Sequence, residues 1–213
     1  MDIPDAGMLG NSIVSFFPDV PQAQREAVTL AMLMAEHETN LAFKQGHISA
    51  WLAYYRNKLK FYGWDGAPPE QAHWPDPERG ERVDQALALI GKTAGTQHVE
   101  TMRAAYAGLR DAPPQLLQFE TAARERRSFS LLPCGPAQGA RVDIVVYREA
   151  MVAEEITAGF LFHERRQSKV EAELVRFNTR LFEQTFRAKV VSALGTLQLR
   201  ELRKIHLKPS ARG

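Results

Sequence analysis

The sequence predicts an α+β fold, in which a helical N-terminal half packs against a C-terminal antiparallel β-meander that carries a further helix. Three observations predict this class. Apolar residues recur at helical spacing through much of residues 1–125. From about residue 126 the pattern changes to an alternation of apolar and polar residues. Elements of one kind follow one another in runs, which is typical of α+β proteins. We expect one domain over residues 1–213, mainly helical at 1–125, with the sheet and its helix at 126–213.

The first elements are a loop and a largely apolar helix. Residues 1–20 are expected to form a loop with at most one short helix. A helix is predicted from Pro21, because proline suits the first helical turn, where its missing N–H would have no partner. Residues 27, 28 and 30–35 are almost all apolar. This helix should therefore be buried on most sides, in a core or under a partner.

A second helix is predicted after Gly46, and it has an aromatic face. Six residues share this face at helical spacing: Ile48, Trp51, Leu52, Tyr55, Leu59 and Tyr62. Arg56, Asn57 and Lys60 fall on the opposite side. Gly63 follows the last turn, where a left-handed C-cap favours glycine. We expect the aromatic face to pack against the first helix as a hairpin.

A proline-rich segment and several short helices are predicted next. Residues 64–80 contain four prolines and are expected to form an exposed linker or a lid over the core. Two or three short helices should follow, at about 80–92, 97–111 and 113–125. Pro113–Pro114 separates the last two and can start the final one.

The C-terminal part predicts an antiparallel meander with one buried face. The predicted strands are residues 128–132, 141–147, 154–164 and 169–177. The first two should be joined by a turn at 133–139. Residues 178–195 then predict a helix on the sheet, in which Glu183 and Arg187 can pair across one turn. The remaining tail is expected to be a final strand or a short helix.

The composition is that of a globular protein, with 45% hydrophobic and 24% charged residues. The single Cys134 excludes an intramolecular disulfide. No apolar run reaches the roughly 18 residues that a membrane-spanning helix needs, and the N-terminal sequence is not typical of a cleavable signal peptide. A cytoplasmic location is the default expectation, and export by a route without a cleavable signal stays open.

Charge is distributed unevenly along the chain. Residues 1–120 carry 10 Lys and Arg against 15 Asp and Glu, a net charge of −5. Residues 121–213 carry 17 against 10, a net charge of +7. The two halves therefore attract each other or offer different partners. Complementary packing is the favoured interpretation, and a basic C-terminal surface for an anionic ligand is the alternative.

No local motif predicts catalysis. Residues 86–93 (ALALIGKT) match a permissive phosphate-loop pattern, but their loop positions continue an amphipathic helix, which has no free N–H groups for phosphate. Glu36–Glu38 lacks the second histidine of a zinc-protease helix, because position 41 is Leu41. Cys134 lies in a predicted turn, and no base is placed beside it by the sequence. We expect no catalytic residue, no cofactor and no metal.

Nucleic-acid and membrane binding are not favoured. The basic clusters at residues 123–128 and 163–169 are diluted by Glu125 and Glu164, and no aromatic platform accompanies them. The alternating segment at 155–163 nearly satisfies the pattern of a lipid-facing strand. A strand in the core of a sheet explains the same alternation and is the favoured interpretation.

One group of residues resembles a motif of known proteins: Trp51, Tyr54, Tyr55, Leu59, Gly63 and Trp64. It is similar to a motif in a group of uncharacterised bacterial and fungal proteins, in which a first helix precedes the motif. Their strand-rich C-terminal part ends with a helix and a last strand, and residues 156–164 and 186–195 are similar to its later pieces. The resemblance implies an α+β architecture, and it implies no activity and no functional residue.

We interpret the sequence as that of a non-enzymatic protein-interaction or assembly protein, which binds a protein partner or forms a homo-oligomer. The candidate partner-binding residues are Met32, Tyr54, Arg56, Lys58 and Phe61. Met32 interrupts the thin polar stripe of the first helix, and the others lie off the aromatic face of the second. Two alternatives stay open. One is a bacterial toxin or effector that acts on membranes or other cells, and the other is an enzyme without a recognisable local motif.

Overall fold

In the part of the chain that the structure describes, seven strands form one sheet between two layers of helices. The computed structural model describes residues 5–48, 51–66, 82–151, 160–162, 168–195, 202–205 and 207. The strands are β1 (Asp5–Leu9), β2 (Ser12–Phe16), β3 (Trp64–Gly66), β4 (Ser128–Ala137), β5 (Arg141–Met151), β6 (Ser168–Asn178) and β7 (Leu202–Ile205). Their order in the sheet is β3-β6-β5-β4-β2-β1-β7, and all neighbours are antiparallel except β2 and β4, which run parallel. The predicted α+β class is confirmed.

The predicted helices are present with small changes in their ends. They are α1 (Gln22–Lys44), α2 (Trp51–Phe61), α3 (Arg82–Ala94), α4 (Thr96–Arg110), α5 (Pro113–Arg126), α6 (Thr179–Thr185) and α7 (Arg187–Leu194). The helix predicted at 178–195 is interrupted at Phe186, although the expected ion pair between Glu183 Oε1 and Arg187 Nη1 spans the break at 2.8 Å. Of the helices in the described part of the chain, none is both long and apolar enough to cross a membrane.

Both faces of the sheet are buried, so the prediction of a single buried face is wrong. Helices α1, α2, α6 and α7 pack on one face, and α3, α4 and α5 pack on the other. In β6, Val175 and Phe177 point to the first core, whereas Val170 and Ala172 point to the second. Leu174, predicted on the buried side, is exposed. Alternation along one strand shows that its two sides differ, but it does not show what covers each side.

The loop predicted for residues 1–20 is also wrong, because this segment forms the hairpin of β1 and β2. Leu9 pairs with Ser12, so the connection is the two-residue turn Gly10–Asn11. Gly10 has a positive φ of 57°, a conformation that favours glycine at the first position of such a turn. A Gly-Asn dipeptide between two apolar runs is a hairpin signal, and it was present in the sequence.

The turn predicted at residues 133–139 is shorter than expected. Cys134–Ala137 continue β4 and pair with Arg141–Ile144 of β5, which leaves only residues 138–140 for the turn. Pro133 and Pro136 lie within β4. Proline and glycine are typical of turns, so the sequence pattern predicts a turn here. The segment is a strand because it pairs with β2 and β5.

Three predicted segments are described only in part. Of residues 154–164, predicted as a strand, Phe160–Phe162 form a turn of 3-10 helix, which contradicts an extended conformation there, and the others lie outside the described residues. Of the linker at 64–80, Trp64–Gly66 form the edge strand β3, and the remainder lies outside the described residues. In the tail, Leu202–Ile205 form a strand, which confirms the first of the two alternatives.

The aromatic face of α2 packs into the core, as the spacing predicted. Tyr55, Leu59 and Tyr62 are buried against α1 and the sheet. The Trp51 ring is partly buried and stacks on Tyr55, with 4.8 Å between the ring centroids. Its indole Nε1 donates a hydrogen bond to Asn40 Oδ1 of α1 at 2.8 Å. The predicted hairpin of α1 and α2 is therefore confirmed.

A buried histidine joins α4 to the sheet. His98 packs edge-on against Phe17, with 4.7 Å between the ring centroids. Burial lowers the pKa of His98 below its ordinary value of 6.5, and polar backbone groups of Asp143 and Ala94 offset this effect only in part. The folded protein therefore favours the neutral imidazole.

We expect the free energy of unfolding to decrease as the pH falls through about 6.5, because His98 binds a proton more readily in the unfolded chain. His98→Gln should remove this part of the pH dependence, whereas His47→Gln, at an exposed position, should retain it. Urea unfolding between about pH 7.5 and about pH 5 measures the difference. Burial raises the pKa of Glu173, and this makes the free energy of unfolding increase as the pH falls. Because this effect opposes that of His98, the test compares the pH dependence of the two variants with that of the original protein. An unchanged slope in His98→Gln would contradict the prediction.

Candidate functional site

The predicted partner-binding residues divide into one core residue and four residues on or near the surface of α2. Met32 is completely buried between α1 and the sheet, so it has no surface to offer a partner. The thin polar stripe of α1 misled the prediction, because the sheet and neighbouring helices surround α1 on most sides. Arg56 contacts Glu173 Oε2 of β6 at 2.7 Å, which makes it a bridge between α2 and the sheet. Tyr54, Lys58 and Phe61 lie together on the outer side of α2.

Lys58 is the centre of this group. Its Nζ lies 5.4 Å from the centroid of the Tyr54 ring and 5.9 Å from that of Phe61. It also contacts Glu38 Oε2 of α1 at 3.1 Å. Partial burial lowers the pKa of Lys58, but the Glu38 carboxylate more than offsets this and the net shift is upward. The ammonium group is thus held in place between two rings.

The apolar surface beside Phe61 continues to Leu181 on α6 and to Phe186, which lies between α6 and α7. The Phe61 and Phe186 rings lie 5.1 Å apart, and Phe186 is half-buried at the break between α6 and α7. Leu181 is exposed and lies against Gly63, where a Cβ atom would be 3.4 Å from Leu181 Cδ2. We call the set Tyr54, Lys58, Phe61, Leu181 and Phe186 the aromatic–basic patch. The sequence predicts an unbroken helix over residues 178–195, and it does not predict the break at Phe186 that shapes this part of the patch.

Beneath α1 and α2, a group of polar residues meets at one end of the sheet, and all of them are buried except Arg126, which is half-buried. Arg126 Nη1 contacts Glu36 Oε1 and donates a hydrogen bond to Asn11 Oδ1 at 2.6 Å. Asn11 Nδ2 donates to the Ser128 carbonyl oxygen at 2.7 Å. Arg148 Nη2 donates to Ser128 Oγ at 2.6 Å. With Tyr55, these residues form what we call the arginine cluster.

The guanidinium group of Arg148 is buried against an aromatic ring, and its pKa is lowered. It lies 4.1 Å from the centroid of the Trp51 ring. Burial lowers its pKa to about 10, even though Glu36 lies nearby. Burial also raises the pKa of Tyr55 well above its usual range, and the nearby Glu36 carboxylate adds to this effect. Both side chains therefore carry their protons at neutral pH.

The sequence motifs considered for catalysis occupy regular structure. Residues 86–93 lie inside α3, as expected, so they form no phosphate loop. Cys134 is buried within β4, burial raises the pKa of its thiol, and the thiol donates to the Leu132 carbonyl oxygen at 3.3 Å. Within the described part of the chain, no three His, Cys, Asp or Glu side chains converge as a metal site would require.

A groove lies beside the edge strand β3, on the side of the sheet where α3–α5 pack. Its volume is about 460 Å³, and its charged lining residues are Asp65, Arg141, Asp143 and Arg176. Arg176 and Asp143 form a two-point ion pair, at 2.7 Å from Nε to Oδ1 and 3.0 Å from Nη2 to Oδ2. Because its acidic and basic side chains balance, the groove does not select a ligand by charge.

Known proteins offer no guide to these sites. Neither models of protein families, nor curated proteins, nor solved structures match this chain significantly. The resemblance to bacterial and fungal proteins thus stays a prediction. Function has to be argued from the aromatic–basic patch and the arginine cluster themselves.

Proposed function

We propose that this protein is a non-enzymatic interaction protein that binds an acidic protein partner through the aromatic–basic patch. The observation that carries the proposal is Phe61, which is 61% exposed although Leu59 and Tyr62 on the same helix are buried. Large aromatic side chains at the centre of a small apolar patch are typical of the residues that dominate binding energy at interfaces.

The charges around the patch favour an acidic partner. Lys58 lies within it, and Lys60 and Arg180 are exposed cations next to Phe61 and Leu181 in the sequence. Complementary charge raises the rate of association and helps to reject wrong partners. An apolar anchor surrounded by carboxylates on the partner would match both features of the patch.

Photo-crosslinking tests this proposal in the cells that produce the protein. A benzoylphenylalanine at position 61 should crosslink to one defined protein, and the charge reversal of Lys58 and Lys60 to glutamate should abolish the product. The matched control is position 117, because Leu117 on α5 is 62% exposed but lies on the opposite side of the sheet.

The crosslinked protein, once purified, allows a quantitative test. Phe61→Ser should weaken its binding at least about tenfold, as expected for an interface anchor, and Leu117→Ser should leave the affinity unchanged. Equal crosslinking at positions 61 and 117, or a product that survives charge reversal, would contradict the proposal. Crosslinking to a second copy of the chain would replace the acidic partner by self-association.

A further inference from the structure

The arginine cluster contains two buried hydrogen-bond donors without acceptors. Arg148 is 7% exposed, and its Nη1 has no hydrogen-bond partner. Tyr55 is 1% exposed, and its hydroxyl likewise has none. A guanidinium group can only donate, and a neutral phenol donates readily. Buried donors are nearly always paired, so an acceptor oxygen beside these two donors would be stabilising.

The cluster also holds more positive than negative charge. The Glu36 carboxylate is in contact with Arg126. Glu171 lies opposite Arg148 on β6, but its carboxylate contacts Lys169 Nζ at 3.0 Å. No carboxylate of the described residues forms an ion pair with Arg148. The charges of Glu36 and Glu171 act on Arg148, but neither carboxylate is in an ion pair with it. A buried charge without a direct ion pair is costly, and this cost favours the binding of an anion.

We propose that the arginine cluster binds an oxyanion group of a small molecule, a phosphate or a carboxylate, at the unpaired donors of Arg148 and Tyr55. Both groups offer acceptor oxygens in the geometry that a guanidinium fork recognises. One bound oxyanion supplies acceptors to both donors and a counter-charge to Arg148. This site is separate from the aromatic–basic patch, and the two proposals do not depend on each other.

Trp51 lies over the guanidinium group of Arg148. Its ring is stacked on the Arg148 guanidinium and is partly exposed at the first residue of α2. The two unpaired donor atoms are shielded from solvent, so the side chains over them have to move when an anion binds, and the indole is the one that covers Arg148. Binding should therefore change the fluorescence of Trp51.

Titration with inorganic phosphate and with acetate tests the proposal, at an ionic strength held constant with chloride. We expect a saturable change in tryptophan fluorescence with one of the two anions, which identifies the chemical class. At about ten times the dissociation constant, the same anion should raise Tm by about 3–5 °C. Trp51→Phe should lose the fluorescence change but keep the Tm shift.

Two variants decide whether Arg148 is the binding group. Arg148→Met should weaken the response at least about tenfold, because a hydrogen-bonded charge is lost. Arg141→Met, at an exposed position on β5, should respond as the original protein does. Without anion, Arg148→Met should be at least as stable as the original protein, because an uncompensated buried charge is removed. A response of equal size with chloride, or an unchanged response in Arg148→Met, would overturn the proposal.

Discussion

Glu149→Ala should destabilise the protein by about 3–5 kcal/mol, because it breaks a buried ion pair by removing the carboxylate that contacts Arg82. Both side chains are fully buried, and Arg82 Nε lies 2.8 Å from Glu149 Oε1. Tyr147 Oη donates a further hydrogen bond to Glu149 Oε2 at 2.7 Å. The pair connects the first turn of α3 to β5. Urea unfolding followed by circular dichroism measures the change in the free energy of unfolding.

The matched control replaces both charges at once. Arg82→Met combined with Glu149→Leu should be much closer in stability to the original protein, since apolar residues of similar volume often replace a buried ion pair at little cost. If the double variant is less stable than Glu149→Ala, the loss comes from packing and the electrostatic explanation is wrong. A loss below about 1 kcal/mol in Glu149→Ala would contradict it as well.

Gly10→Ala should destabilise the protein by more than about 2 kcal/mol, for two reasons that add. Its positive φ alone costs an alanine roughly 1–2 kcal/mol. A Cβ atom at Gly10 would also lie 2.4 Å from Arg126 Nη1 and 2.5 Å from Glu36 Oε1. The ends of the Arg126 and Glu36 side chains must then shift, which disturbs their buried contact and adds to the conformational cost.

Gly139→Ala is the control that separates these two reasons. Gly139 lies in the turn between β4 and β5, with a φ of 72° and open space where the Cβ would be placed. This variant should show only the conformational cost of roughly 1–2 kcal/mol. Thermal and urea unfolding of both variants give the comparison. Equal losses would mean that Gly10 is required by its backbone alone and not by the arginine cluster.

The surface part of the candidate site could be predicted from the sequence. Helical spacing placed Tyr54, Lys58 and Phe61 off the buried face of α2, and this is where they lie. The same spacing could not add Leu181 or Phe186, because their contact with α2 depends on how α6 and α7 cross it. Whether this surface binds a partner stays a prediction.

The arginine cluster could not be predicted from the sequence, because its residues are distant from one another in the chain. Its residues come from the β1–β2 turn, α1, α2, the end of α5, and strands β4 and β5. None of them has an unusual local pattern. The sequence pattern places Glu36 in the polar stripe of α1, and nothing in the pattern around Arg148 indicates that this cation is buried. Only the sheet order, which places β2 beside β4 and β4 beside β5, brings them together.

The sequence by itself determined most of the helices, the greater part of strands β4, β5 and β6 and the inner face of α2, because these follow from apolar periodicity between near neighbours in the chain. The tertiary structure alone decided that both faces of the sheet are covered and which charges meet inside. Arg82 illustrates the difference. A cation in the first turn of a helix opposes the helix dipole, and its ion pair with Glu149 on β5 helps to explain its place. Local patterns report which side of an element is buried, whereas the partner of a buried charge depends on contacts between distant segments.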